Sequence, residues 1–410
     1  MRRISISIAI VVALACAVGS AGLPALNSEG VAAVSRMFQA AVDQGEIPGV
    51  VAAVTNRDRV LYLEAFGKQD AAAGVPMARD TVFRIASMTK PITSVAVMML
   101  REEGKLRLDD PAAGYVPSLK GREVIESFND ADGTYTTRPA AREMTIRQLL
   151  AHTSGLAYPF TSRTVVAIQE KTKREPRDQP LLFDPGSRWH YSPATAVLGD
   201  IVEKASGDSI EAFYQKRILR PLGMVDTSYY LPAEKAGRLV TLSRREEGGL
   251  VETPNAPTYT ASVRGDGGLL STAADYSAFL QMLLSEGSWH GARLLKAESV
   301  RMMTSNQIGA VNVEEMPAVL PRTSAAFPAG AGKDKFGLGF QIAATDGAAV
   351  HERGAGSYSW GGINNTHFWV DPKNGIGVVY LTQVLPFYNA TSIDVMRRFE
   401  HLIYEHLQHR

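Results

Sequence analysis

The chain has 410 residues, 45% hydrophobic and 21% charged, with 43 basic against 42 acidic side chains. That is enough for a large core and roughly two or three domain-sized units, and the balanced charge speaks against nucleic acid or an anionic lipid surface as a partner. One cysteine, Cys16, excludes a disulfide framework, and the eight histidines lack HExxH or related spacing. With no Gly-rich phosphate loop either, no metal and no other cofactor is expected.

Residues 1 to 21 have the layout of a secretory signal: Arg2 and Arg3 start it, Ile4 to Ala15 form an apolar stretch, and Gly19, Ser20 and Ala21 offer a small-residue cleavage site. The stretch is too short for a stable membrane span, so a periplasmic or secreted protein is expected. A lipoprotein box at "ALAC", 13 to 16, is disfavoured because Ala13 stands where a larger aliphatic is usual. Asn27 to Gln44 sets Val31, Val34, Met37, Phe38, Ala41 and Val42 at helical spacing, and Gly45 ends it. Two β-rich runs, Val50 to Thr55 and Val60 to Ala65, flank the polar "NRDR" and predict an antiparallel hairpin.

From Asp109 to Leu250 strand signals thin out, and "TIRQLLAHTSGL", "ATAVLGDIVEKASG" and "SIEAFYQKRIL" predict helices between Pro and Gly turns. Residues 109–250 are therefore expected to form a helical insertion domain within an α/β catalytic domain made of 22–108 and 251–410. Strand signals return in "FGLGFQIAA", "SYSWGGINNTHFWV" and "GIGVVYLTQ", with the "DPKNG" turn between the last two. Thr391 to Leu407 predicts a closing helix. The polar stretches 125 to 143 and 321 to 335 read as long surface loops. The expected class is α+β, a central antiparallel sheet flanked by N- and C-terminal helices.

The chemistry concentrates in "SMTK", the only S-x-x-K in the chain. A catalytic serine needs a base and backbone donors, and no GxSxG nucleophile elbow is present. Ser87 and Lys90, three apart, share a helix face about 5 to 6 Å apart at Cβ. Pro91 confines the helix start to Ala86 or Ser87, which surrounds the hydroxyl with free N–H groups at the positive end of the helix dipole. The same residues also suit a helix cap followed by a snorkelling lysine. Tyr191 precedes Ser192 and Pro193, expected as N-cap and first position of the next helix, where it suits either a second base or a hydrophobic staple. In "SYSWGGINNTHFWV", Gly361 and Gly362 beside Trp360 mark a bulge or a close backbone approach.

Together these segments resemble the serine β-lactamase-like superfamily: class C β-lactamases, penicillin-binding proteins and, most closely, the family VIII carboxylesterases. The resemblance runs over residues 30 to 405 and includes "LLAHTSGL", "PLGMVDTSY", "GGLLSTAADYSAFLQMLL" and "FWVDPKNGIGVVYLTQ". It implies the β-lactamase/transpeptidase-like fold, with Ser87 as the acylated nucleophile, Lys90 as its amine partner and Tyr191 as the tyrosine of a Tyr-x-Asn motif that reads "YSP" here. It also implies Trp360, Gly361 and Gly362 as the substrate-binding strand in place of Lys-Thr-Gly, and the backbone N–H groups of Ser87 and Ile363 as the oxyanion hole. His152 in "AHTSGL" is implied to be structural, and Arg264 and Asp266 to shape a loop near the site. An indole replaces the cation that reads substrate carboxylates, and Pro193 replaces an amide donor.

The expected activity is a serine carboxylesterase acting on small, short-chain acyl esters. The alternatives left open are a β-lactamase, with β-lactams as substrate, a D-alanyl-D-alanine carboxypeptidase, an acyltransferase, and a non-hydrolytic penicillin sensor.

Overall fold

The computed structural model describes residues 23–256, 259–344 and 352–409. The leader expected at 1–21, with Cys16, lies outside them. In chain order the elements that position the site are α1 (Ser28–Asp43), β1 (Gly49–Thr55), β2 (Val60–Asp70), β3 (Val75–Pro76), α2 (Thr89–Glu102), β4 (Glu123–Phe128), β5 (Tyr135–Pro139), α3 (Ala194–Ser206) and α4 (Ala273–Leu284). β6 (Lys335–Phe336), β7 (Gln341–Ile342), β8 (Tyr358–Gly362), β9 (Thr366–Asp371), β10 (Ile376–Leu381) and α5 (Ala390–His406) follow.

Eight strands make one antiparallel sheet in the order β6-β7-β8-β9-β10-β1-β2-β3, so N-terminal and C-terminal strands meet where β10 pairs with β1. Period-two alternation gives each central strand two apolar faces. On one face Val50, Ala52, Val54, Val378 and Tyr380 pack against Val34 and Phe38 of α1 and Ile393, Phe399 and Ile403 of α5. On the other, Val51, Ala53, Val379 and Leu381 join a larger core with α2, α3 and α4. Thr89 to Leu100 of α2 are all buried, because the helix lies between the sheet and the helical region. This is the β-lactamase/transpeptidase-like α+β fold. No helix among the described residues is long and apolar enough to cross a membrane.

Three local expectations need correction. Part of 125 to 143 is not loop: β4 and β5 form a hairpin, and its edge pairs through Ile125 N to Leu181 O at 2.9 Å and Leu181 N to Glu123 O at 2.8 Å. Pairing with a residue far along the chain supplies what its polar, exposed composition does not. The helix after Tyr191 starts one residue later than expected, with Pro193 at the N-cap, while the Ser192 hydroxyl lies 3.0 Å from His152 Nδ1 and accepts from Ala194 N at 3.4 Å. A further hairpin, Leu242–Glu246 with Gly249–Thr253, straddles the boundary expected at 250/251.

Candidate active site

Ser87 sits in a 3-10 turn, Ala86–Met88, that runs directly into α2. Ala86 has φ 46°, in the left-handed region that a side chain disfavours. The chain thus turns sharply just before the nucleophile and leaves Ser87 partly exposed on the wall of a cleft with about 1270 Å³ of empty space, part of it open to solvent. The turn is clamped from several elements. Ile85 N donates to Leu269 O at 3.1 Å, Asn364 Nδ2 to Arg84 O at 3.2 Å, and Thr366 Oγ1 to Ile85 O at 3.3 Å. Gly362 makes this clamp possible: a Cβ there would lie 2.3 Å from Ile85 O and 2.3 Å from Thr366 Oγ1. The glycine pair is therefore a close backbone approach, and it carries Ile363 onto the wall of the cleft that Ser87 lines.

Two groups donate to the Ser87 hydroxyl oxygen, Tyr191 OH at 2.7 Å and Lys90 Nζ at 3.1 Å. Lys90 is 1% exposed, so its charge must be met inside the protein. Its Nζ also donates to the Asp266 backbone carbonyl at 2.8 Å and to Tyr158 OH at 3.1 Å, and it lies 5.0 Å and 5.3 Å from the ring centroids of Tyr191 and Tyr158. Three acceptors match the three N–H donors of an ammonium group. Tyr158 in turn donates to the Asp266 carboxylate, which Arg264 grips through Nε at 2.9 Å and a second nitrogen at 3.0 Å. Burial opposes the Asp266 charge, yet Lys90, Arg264 and Tyr158 outweigh it and hold its carboxyl below the usual range. Burial, reinforced by Asp266, pushes the Tyr158 phenol well up, so Tyr158 stays protonated as a donor.

The fold thus gathers Ser87 and Lys90 from one segment and Tyr191 from another within hydrogen-bond reach. Ser87, Tyr191, Trp360, Gly361 and Ile363 line one cleft. Trp360 is 7% exposed and meets the Tyr191 ring edge-on at 4.9 Å and Phe336 at 5.4 Å, so it braces the tyrosine as well as lining the cleft. Pro193 faces an adjoining hollow with Tyr158 and Arg264. His152 is buried 5.1 Å from the Tyr191 ring, and burial, helped by Lys90, drives its pKa well down. A neutral histidine bonded to Ser192 and packed edge-on against the Tyr191 ring positions that tyrosine. Sequence reasoning missed Tyr158 as a partner of Lys90; the aromatic that follows "HTSGL" is the signal that could have found it. It also gave Asp266 a loop-shaping role, whereas its carbonyl and carboxylate both enter the network. Among the described residues no cluster of His, Cys, Asp and Glu could hold a metal ion.

Buried donors converging on one partly exposed hydroxyl can activate it, stabilise an alkoxide-like transition state and return a proton to a leaving group. Comparison with known proteins agrees with that chemistry. The family model described as "Beta-lactamase" matches residues 34–401. Protein Rv1367c of Mycobacterium tuberculosis is 37% identical over 365 residues, covering 84% of this chain and 88% of that protein. Lovastatin esterase of Penicillium rubens is 30% identical over 397 residues, covering 90% and 96%. Among solved structures, unliganded simvastatin synthase (LovD) from Aspergillus terreus, as its selenomethionyl derivative, superposes with a TM-score of 0.78 at 27% identity, covering 92% of this chain and 98% of that one.

Proposed function

The chain belongs to the Beta-lactamase family, as a serine hydrolase with esterase and acyltransferase relatives, and we propose that it is a carboxylesterase working through an acyl-enzyme on Ser87. Acylation starts from the form in which the Lys90/Tyr191 pair has given up one proton: the Ser87 oxygen attacks the ester carbonyl, its proton passes to the vacant position on the pair, and the oxyanion is met by the backbone N–H groups of Ser87 and Ile363. Collapse expels the alcohol, which takes that proton. Water then attacks the acyl-enzyme, leaves its proton on the same pair, and Ser87 recovers it as the acid departs. Both contact the same hydroxyl oxygen, so base and acid are roles of the pair.

The observation that carries the ester reading is Trp360. A buried indole packed on Tyr191 stands where a carboxylate-reading cation would face the substrate. A charge-assisted hydrogen bond of that kind is worth about 1.5 to 3 kcal/mol. Neutral esters lose nothing by its absence, whereas β-lactams and D-alanyl peptides lose about tenfold to a hundredfold in specificity.

The test is a hydrolysis panel of nitrophenyl esters, nitrocefin and a D-alanyl-D-alanine peptide, run beside Ser87→Ala. Esters should exceed nitrocefin by at least about tenfold in kcat/KM by the same arithmetic, and Ser87→Ala should abolish turnover and fluorophosphonate labelling. Comparable turnover of nitrocefin would transfer the assignment to a β-lactamase. The likeness to simvastatin synthase supports a second reading, transfer of the acyl group to an alcohol in place of water. Product analysis with an added alcohol acceptor separates the two. Export of the enzyme follows from the leader read at 1 to 21, and cell fractionation tests it.

A further inference from the structure

We infer that the cleft continues from Ser87 into a rear chamber for the acyl chain, so that the preferred substrates are esters of longer or bulkier apolar carboxylic acids. This rests on the esterase reading of Ser87 and deepens it, since the sequence alone suggests short acyl groups.

The passage is a property of the sheet. β7 pairs with β8 only at Tyr358 and Ser359. On that side, among the described residues, no strand pairs with the next residues, Trp360 to Gly362, and the cleft passes this edge to the sheet face on which α5 packs. Along β8 Tyr358, Trp360 and Gly362 are buried in alternation with Ser359 and Gly361, which are partly open and line the cleft. Ser359 pairs with Trp369 and Gly361 with His367; the His367 ring leans over Gly361, where a Cβ would lie 2.8 Å from its Nδ1, and Ser359 lines the cleft as the small residue beside Trp369.

The walls read as a built site. Phe327, Phe387 and Tyr388 stay partly exposed while clustering 4.6 to 5.8 Å apart around the cleft. Tyr388 is held at φ 57°, a conformation that a tyrosine disfavours. Buried Asn365 holds it there: its Oδ1 accepts from Tyr388 N at 2.9 Å, and its Nδ2 donates to Val384 O at 2.8 Å and Pro386 O at 2.9 Å. Strain that keeps aromatic rings open to a cleft fits a ligand-facing surface.

The charged side chains that line the cleft are Asp334, Arg353 and Arg397, and Asp334 accepts from Gln341 Nε2 at 2.8 Å. Arg353 is neutralised by Glu400 through two hydrogen bonds at 2.9 and 3.0 Å. His367 is 7% exposed and its Nε2 has no partner; burial, with Arg353 nearby, pushes its pKa down to about 3, so it is neutral near pH 7. An apolar chain fits the aromatic part of this lining. The occupant is assigned as the acyl part because the leaving oxygen must stay beside Tyr191 or Lys90 to take its proton, which leaves the other substituent of the carbonyl carbon to run along the cleft.

The experiment is a matched series of nitrophenyl acetate, butyrate, hexanoate, octanoate and decanoate, beside alkyl acetates of the same lengths. Each buried methylene contributes about 0.8 kcal/mol, or about fourfold, so kcat/KM should climb several-fold per step along the acyl series and stay nearly flat along the alcohol series. Ser359→Phe, and Ala329→Phe on the loop wall opposite, should each lower the octanoate to acetate ratio by at least about tenfold. A flat acyl series, or a rise confined to the alcohol series, overturns the chamber while leaving Ser87 hydrolysis standing. Absence of any ester turnover, with no fluorophosphonate label on Ser87, instead overturns the esterase reading itself.

Discussion

Replacing Gly362 by alanine tests whether the contact between β8 and the nucleophile turn sets the site. The added methyl carbon would sit 2.3 Å from both Ile85 O and Thr366 Oγ1, against an ordinary contact of 3.4 Å or more. One obstacle is backbone and the other is a hydroxyl already bonded to it, so neither can swing aside. Relief requires β8 and the Ala86–Met88 turn to separate by about 1 Å. That would pull Ile363 from Ser87 and break the Thr366 and Asn364 clamps. Overpacking of this kind costs about 1 to 3 kcal/mol of stability, and a misplacement of about 1 Å at the reacting centre costs about a hundredfold in rate. Expected, then, is a folded protein with a melting point lower by several degrees and kcat/KM on nitrophenyl butyrate down by about a hundredfold. The control is Gly267→Ala, where a Cβ would come no nearer than 3.9 Å to Ala86 and should change little. A Gly362→Ala enzyme with wild-type kcat/KM and melting point would refute the reasoning.

Lys90→Ala and Tyr191→Phe should each lower kcat by about 10² to 10⁴, with the double variant well short of the product because the pair acts as one relay; full additivity would separate them. Tyr158→Phe removes a hydroxyl shared by Lys90 and Asp266 and should reduce kcat about tenfold or more with KM little changed, whereas a purely structural Tyr158 would lower the melting point and leave kcat alone. Stability should fall as pH drops below about 6.5, the unfolded histidine value. His152, His190 and His367 are all held neutral by burial, His190 down to about 4 and His367 to about 3, so the unfolded chain binds protons that the native one refuses. Each contributes about 1.4 kcal/mol per pH unit, and His367→Gln should flatten the urea-midpoint profile between pH 6 and 5.

The periodic elements were legible because one face of each is buried. α1, the β1–β2 hairpin, the β8 to β10 strands and α5 lie within a residue or a few of their expected bounds. Ser87, Lys90 and Tyr191 were legible because "SMTK" and "YSP" are local patterns. Tyr158 was not, since its importance arises only when the fold brings it to Lys90, 68 residues away, and to Asp266, 108 residues away. Nor could composition reveal the left-handed Ala86, as alanine gives no sign of that backbone. The β4–β5 hairpin was hidden for a related reason: its pairing partner, Leu181, is far along the chain.

The alternation along β8 suggests why this scaffold can keep its chemistry while its substrates change. Trp360 and Gly362 point to the helical side, where one braces Tyr191 and the other admits the nucleophile turn. Ser359 and Gly361 point to the opposite face, where they bound the rear chamber. Because side chains alternate strictly, a substitution at 359 alters the chamber and leaves the Ser87, Lys90 and Tyr191 geometry in place, whereas a one-residue slip of register would exchange the two sets and destroy both. The register is pinned from each side, by five consecutive pairs with β9 and by the Gly362 contact with Ile85. Under the chamber proposal, selectivity resides on the face of the strand that the reaction does not use.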